Sequence, residues 1–276
     1  MTSPRSIDPN SPGELERFAV ELAAGAAALV RRHRCGELTV AWKSTATDLV
    51  TQADRASEQW LVEQIAVARP ADAILGEEGA GSEGSSGVRW VLDPIDGTVN
   101  YVLGLPQYAV SVAAELDGHV LAGAVCNAAS GEVFRAHRGG GAHLGDTRLA
   151  GPRVVPLARA VVGTGFGYAA AQRTRQGAVV AQLLPRVADI RRLGSASLDL
   201  CAVAAGRLDA YFEAGLQRWD HAAGVLIAVE AGCAATGPRG EAPASRLTAV
   251  AGKSLAVDFF ALLEELGADG VSCSSS

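Results

Sequence analysis

One short run limits this chain more than any other: Trp90-Val91-Leu92-Asp93-Pro94-Ile95-Asp96-Gly97-Thr98. It starts as an apolar strand and delivers a carboxylate, Asp93, at its end. Pro94 fixes its own φ and has no N–H to give to a ladder. Gly97 permits a tight backbone path after Asp96. Asp93 and Asp96 can therefore point into one pocket, with the Ile95 carbonyl between them. Two carboxylates and a carbonyl are hard oxygen donors, suited to Mg²⁺ rather than to zinc. An Asp-Gly pair alone is a common turn, so the rest of the chain has to decide.

Two further acidic groups stand in comparable places. Ala73-Ile74-Leu75 stops at Gly76-Glu77-Glu78, and Trp219-Asp220 comes soon after the strand-like stretch from Leu208 to Glu213. Taken singly, Glu77-Glu78 reads as a solvated pair, and Asp220 as the N-cap of an apolar helix over 222–231. Together they make three acidic clusters, each read as following a strand, where α/β layers carry their site residues.

The spacing of apolar residues predicts helices over 14–33, 54–68, 174–184, 195–205 and 255–266. Strands are expected at 73–75, 88–92, 132–137, 160–164, 189–193, 208–213 and 249–252, with a hairpin of 108–116 and 119–127 turning at Asp117-Gly118. Lys43 to Asp54 is polar and Thr-rich, a loop entering a helix capped near Thr51 or Asp54. Gly79 to Gly87 is a Gly/Ser-rich loop. Strands occur in runs as well as alternating with helices, which favours a layered α+β fold over a purely parallel sheet. With 276 residues there is room for one large domain or two tightly joined ones. A weak division at Gly151-Pro152 gives halves of 1–150 and 151–276 packed as one unit, with 270–276 a disordered tail.

The net charge of −6 excludes a strong field for nucleic acid or anionic membrane. Such a chain can still bind phosphate if metal ions supply the positive charge. The apolar stretches are too short to span a bilayer. No signal peptide is expected in 1–10, and the scattered Cys35, Cys126, Cys201, Cys233 and Cys273 suit a reducing cytoplasm.

Four segments, in order, resemble the inositol monophosphatase family of lithium-sensitive, Mg²⁺-dependent phosphatases, with the actinobacterial inositol-1-monophosphatases nearest in wording. They are Asp48-Leu-Val-Thr51-Gln-Ala-Asp54, Gly76-Glu77-Glu78-Gly79, Asp93-Pro-Ile-Asp-Gly-Thr98 and Trp219-Asp220-His-Ala-Ala-Gly224. Gly194-Ser195-Ala196 and Tyr211-Phe212-Glu213 also match, and the likeness runs from about Glu14 to Leu266. The resemblance implies an α/β/α/β/α sandwich of the inositol monophosphatase and fructose-1,6-bisphosphatase type, usually a homodimer. It implies that Glu77, Asp93 and the Ile95 carbonyl hold one Mg²⁺, that Asp93, Asp96 and Asp220 hold a second, and that Glu77 shares a third, looser ion. It assigns Thr98 and Asp48, with Glu77, to activating water. The phosphate would rest on the Gly97 and Thr98 amides, and Glu213, Asp220 and the Gly194-Ser195-Ala196 segment would face the alcohol.

The expected activity is hydrolysis of myo-inositol monophosphate. Fructose-1,6-bisphosphate, histidinol phosphate or another small polyol ester stays open, as does a non-enzymatic regulatory binding role. Other signals are set aside. Gly163-Thr-Gly165-Phe-Gly167 has the wrong spacing for a dinucleotide loop, and Ser195 and Ser197 lack a nucleophile-elbow motif. The five histidines show no metal-ligand spacing. His221, beside Asp220, reads as a surface or supporting residue.

Overall fold

The computed structural model describes residues 10–34, 40–42 and 49–270. Helix α1 spans Pro12–Arg34, and strands β1 (Val40–Trp42) and β2 (Leu49–Thr51) pair antiparallel before α2 (Gln52–Ala68). Thr51 caps α2: its hydroxyl accepts from the Ala53 and Asp54 amides, and Asp54 Oδ2 accepts in return from the Thr51 N–H at 2.8 Å. The expected stretch from Lys43 to Asp48, and the tail residues 271–276, lie outside the described residues.

A large sheet follows. It contains β3 (Ala73–Gly76), β4 (Gly81–Ser82), β5 (Val88–Asp96), β6 (Ala109–Leu116), β7 (His119–Asn127), β8 (Val133–His137), β9 (Gly141–Leu144) and β10 (Thr147–Arg148), with the short helix α3 (Thr98–Leu103) after β5. Its order is β10-β9-β8-β7-β6-β5-β3-β4. The chain then forms β11 (Val161–Thr164), α4 (Ala170–Leu183), β12 (Asp189–Arg191), α5 (Ala196–Ala204), β13 (Ala210–Glu213), α6 (Arg218–Glu230), β14 (Cys233–Thr236), β15 (Thr248–Gly252) and α7 (Lys253–Glu265). The second sheet is ordered β12-β11-β13-β15-β14.

The period-two alternation of strands sorts the core into layers. From β5, Trp90 and Leu92 pack with Leu15, Leu22 and Ala26 of α1 and with Leu61 and Ile65 of α2. Val91 faces the other way, into a cluster built from Leu200 and Cys201 of α5, Ala223 and Ile227 of α6, and Tyr211 and Val250 of the second sheet. The far face of that sheet, through Val162, Phe212 and Ala249, meets Leu183 of α4 and Phe259 and Leu263 of α7. The fold is therefore a layered α/β/α/β/α sandwich. Helices α5 and α6 lie between the sheets, and this arrangement brings their N-termini to the ends of β5 and β13.

Several elements differ from expectation. The strand expected to stop at Leu92 continues to Asp96, across a register irregularity. Helix α6 starts at Arg218, so Asp220 lies in its first turn, bonding back to the N-cap residue Gln217 in a capping box, and stands neither at the N-cap itself nor at a strand end. Helix α4 starts a turn earlier than its apolar pattern, and the loop from Gly79 holds the short β4. Strands β9, β10 and β14 carry Gly and Ala or are too short to show a pattern, so no apolar run announced them.

Candidate active site

The irregularity in β5 is what brings two aspartates together. Asp93 pairs with Ser111 of β6 and Asp96 with Ala109, so three steps along β5 match two along β6. Residues three apart on a regular strand point to opposite faces. The extra residue, a bulge at Pro94-Ile95, restores parity and puts both carboxylates on the α5/α6 side. Glu77 follows β3 directly, and its N–H donates to Leu92 O at 3.2 Å, which sets it beside Asp93. The buried Glu58 of α2 fixes the turn after it by accepting from the Glu78 and Ala80 amides at 2.8 and 2.9 Å. Asp220 arrives from α6, where its Oδ2 accepts from the Gln217 N–H at 2.6 Å.

These side chains surround one cleft of about 460 Å³. Glu77, Asp96, Gly97, Thr98, Gly194, Ser195, Ala196, Glu213 and Asp220 all line it, and Asp93 and Ile95 lie buried. A larger cleft of about 760 Å³ beside α4 shares Gln172, Gly215 and Gln217 but has no deeply buried carboxylate. Gly97 has φ +92°, and a Cβ there would lie 2.8 Å from Gln107 O, so the turn into α3 needs glycine. In the wall, a Cβ at Gly165 would stand 1.9 Å from Glu213 Oε2. The glycine run set aside as a nucleotide loop thus makes room for Glu213.

The electrostatics are one-sided. Burial raises Asp93 well above the usual carboxylate range, and the charges of Glu77, Asp96 and Asp220 push it further. Burial does the same to Asp220, with Asp96 adding to it. Asp96 is raised by burial despite accepting from Ser195 Oγ (2.6 Å), Ala196 N (3.2 Å), Ser197 N (2.7 Å) and Ser197 Oγ (2.6 Å). Among the described residues, no Arg or Lys forms an ion pair with Asp93, Asp96 or Asp220.

The donor set fits a hard divalent cation by chemistry, since buried oxygen anions in mutual repulsion need positive charge. It is not a finished cage. No group of three or more His, Cys, Asp or Glu among the described residues is placed to hold an ion as it stands. Asp96 is turned to the α5 N-terminus and Asp220 to the Gln217 amide. The Ile95 carbonyl accepts from Thr98 Oγ1 at 3.0 Å.

Sequence reasoning overlooked Asp54. Its Oδ1 lies 3.2 Å from Thr98 Oγ1, and the residue is fully buried. Asp48, the expected partner of Thr98, lies outside the described residues. The signal was present: Asp48-Leu-Val-Thr51-Gln-Ala-Asp54 offers two carboxylates, and α2 carries the second into the core. His221 is buried rather than at the surface, its Nδ1 has no partner, and burial, with Arg218 adding to it, lowers it to about 4. Asp199 and Arg192 also line the cleft unannounced.

Comparison with known proteins agrees in sequence and in shape. The model of the "Inositol monophosphatase family" matches residues 12–268. An inositol-1-monophosphatase of Mycobacterium bovis is 49% identical over 242 residues, which is 81% of this chain and 83% of that protein. A "Nus factor SuhB" of Pasteurella multocida is 45% identical over 204 residues, 72% of this chain and 75% of its own. The solved structure of Mycobacterium tuberculosis SuhB superposes with a TM-score of 0.80 at 42% identity, covering 94% of this chain and 99% of that one.

Proposed function

The chain belongs to the inositol monophosphatase family, and from that premise we propose that it is a Mg²⁺-dependent, lithium-sensitive phosphomonoesterase that hydrolyses myo-inositol monophosphate. The observation that carries this reading is the buried Asp93, set among Glu77, Asp96 and Asp220 at one cleft with no basic side chain among the described residues paired to the aspartates. Glu77, Asp93, Asp96, Asp220 and the Ile95 carbonyl would hold two to three Mg²⁺ ions, with Asp96 and Asp220 exchanging their present donors for metal. Bound there, Mg²⁺ neutralises the phosphate dianion, activates water and stabilises the departing alkoxide.

The chain's own residues do the rest. The Gly97 and Thr98 amides face the phosphate oxygens. Thr98 Oγ1 takes a proton from the attacking water as it passes its own to Asp54. Asp54 is the carboxylate within reach of Thr98 among the described residues, and it joins in this reading the expected Asp48, which lies outside them. Glu213 and the Gly194-Ser195-Ala196 segment receive the alcohol. Glu213 is raised to about 7 by burial, against the Tyr211 hydroxyl, which donates to Oε2 at 2.5 Å. A homodimer is part of this reading, with the exposed Leu103, Leu105 and Leu193 as candidate apolar contacts.

The test is kcat/KM for inositol 1-phosphate, fructose 1,6-bisphosphate and histidinol phosphate, with Mg²⁺, with EDTA and with added Li⁺. Inositol 1-phosphate should lead, and EDTA and Li⁺ should both inhibit. A far higher value for either competitor overturns the named substrate, and full activity in EDTA overturns the metal chemistry. The relatives named Nus factor favour a second reading, a regulatory binding partner without turnover. No hydrolysis of any ester in Mg²⁺ would select it.

A further inference from the structure

One face of α2 changes character along its length. Leu61 and Ile65 enter the apolar core, and the same buried stripe continues towards the helix N-terminus as Glu58, Ser57 and Asp54. Residues three and four apart share a helix face, and these three are 5%, 0% and 0% exposed. A polar side chain in such a place is costly unless it is hydrogen-bonded. Each of the three bonds a different piece of the cleft. Asp54 reaches Thr98, and Ser57 Oγ donates to Pro94 O at 3.1 Å, inside the bulge of β5. Glu58 accepts from the Glu78 amide on one oxygen and from the Ala80 amide on the other. Neither Ser57 nor Glu58 lines the cleft itself.

The turn that Glu58 holds is the one that carries Glu77. It joins β3 to β4, which pair over only two positions at the sheet edge, Ile74 with Ser82 and Leu75 with Gly81. Within it the Gly76 N–H donates to Ala80 O at 2.7 Å and the Glu77 N–H to Leu92 O at 3.2 Å. So short an edge strand gives the tip little rigidity of its own, and the carboxylate of Glu58 supplies an acceptor for two further amides. A Cβ at Gly76 would lie 2.3 Å from Glu58 Oε2, so glycine is what lets the carboxylate come this close. We propose that Ser57 and Glu58 are positioning residues of the metal site: from behind the cleft they fix the Glu77 turn against the Asp93–Ile95 bulge, and so preset the spacing of the oxygen ligands. This rests on the metal-dependent reading above and adds residues that touch neither substrate nor ion. The two anchors are neighbours in one helix, so the turn and the bulge cannot drift apart while both bonds hold. Partners that orient metal ligands from behind typically account for about 10–100-fold in metal affinity.

The experiment measures Mg²⁺ affinity by calorimetric titration of the substrate-free protein, and kcat for inositol 1-phosphate in saturating Mg²⁺. Glu58→Gln leaves one acceptor where two are needed, and should weaken Mg²⁺ binding by about tenfold or more. Ser57→Ala removes one hydrogen bond and should weaken it by about three- to tenfold. Glu58→Asp keeps both acceptors on a shorter stem and should bind Mg²⁺ more tightly than Glu58→Gln. In all three, kcat in saturating Mg²⁺ should return to within about threefold of the unaltered protein, because neither side chain touches the reacting atoms. Leu263→Ala is the control. It opens a cavity under α7, on the far face of the second sheet, and should lower stability while leaving Mg²⁺ affinity unchanged. Unchanged affinity in Glu58→Gln, an equal loss in Leu263→Ala, or a kcat deficit that saturating Mg²⁺ does not restore overturns the proposal. Should Glu58→Gln fail to fold, unchanged affinity in Ser57→Ala overturns it alone. If the unaltered protein binds no Mg²⁺, the metal reading itself fails and takes the proposal with it.

Discussion

The two ends of β5 each bury a carboxylate and treat it in opposite ways. At one end Arg89 stands across from Glu115 of β6, and at the other Asp93 stands across from Ser111. Both carboxylates are 1% exposed. Glu115 receives Arg89, at 2.6 Å, on one oxygen and Arg218 on the other. Asp93 receives the Ile95 N–H of its own turn at 3.1 Å and is otherwise faced by other acids. Where the chain brings its own cation, the buried acid holds the layers together, here β5, β6 and α6. Where no described residue supplies one, the acid is costly to the fold unless it is protonated or a cation comes from solution. Burial alone therefore does not mark a site; the partner does.

Replacing Asp93 by Asn tests the acidic end and should have the largest effect. Turnover with Mg²⁺ should fall by at least about a thousandfold, because the side chain serves the charge balance of the whole cluster. Stability should move the other way. In EDTA at pH 8, Asn removes a repelled charge, and Tm should rise by about 2–4 °C for each kcal/mol relieved. Added Mg²⁺ should raise the Tm of the unaltered protein and leave that of the variant nearly unmoved. Activity within tenfold of the original, or a lower Tm in EDTA, would break the contrast between the two ends.

Glu115→Ala tests the other end, and urea unfolding is its measurement. Removing one partner of a buried pair costs about 3–5 kcal/mol. The arginine side chains here keep 46% and 32% of their exposure, which softens the loss to about 2–3 kcal/mol. Mg²⁺ should still stabilise this variant, since the acidic cluster is intact. A variant as stable as its parent would mean that the ion pair contributes nothing and that the two ends are alike.

The cluster was legible in sequence to an unequal degree. Asp93, Asp96 and Glu77 could be read because their chemistry sits next to local breaks: a proline, a glycine, the end of an apolar run. Parity across the bulge could not be read, since it depends on which residues of β6 lie opposite. Asp54 looked like a helix cap, which it is, and its contact with Thr98 spans 44 positions of chain. Asp199 sits in an apolar-looking helix, and nothing local says that its oxygen is left without a donor. Asp220 was found and its element misjudged, because Arg218-Trp219-Asp220-His221 interrupts the apolar pattern of the turn it begins. The layers followed from strand and helix periodicity. The short strands β9, β10 and β14 did not, because they borrow their stability from neighbours already in place.

The pH dependence of the metal-free fold separates the two kinds of acid with the smallest signal. Asp93, Asp96, Asp220 and Glu213 are all raised in the folded protein. A raised group binds its proton more tightly when folded, so its stabilisation is full below the unfolded value and is lost as pH climbs through the folded one. For Glu213 that window runs from 4.5 to about 7. Glu132 and Asp189, lowered chiefly by hydrogen bonds from Arg207 and Arg191, have the opposite sign, but they act near and below the ordinary carboxylate range. His221, lowered from 6.5 to about 4, favours the unfolded chain as pH falls through that interval, and so masks the effect below 6.5. The clear reading lies between pH 6.5 and 8. There Tm in EDTA should decline as pH rises, whereas the increment given by Mg²⁺ should grow, because the ion needs the deprotonated ligands. A Tm that climbs with pH in EDTA across that interval would mean the carboxylates of the cleft are matched by positive charge after all.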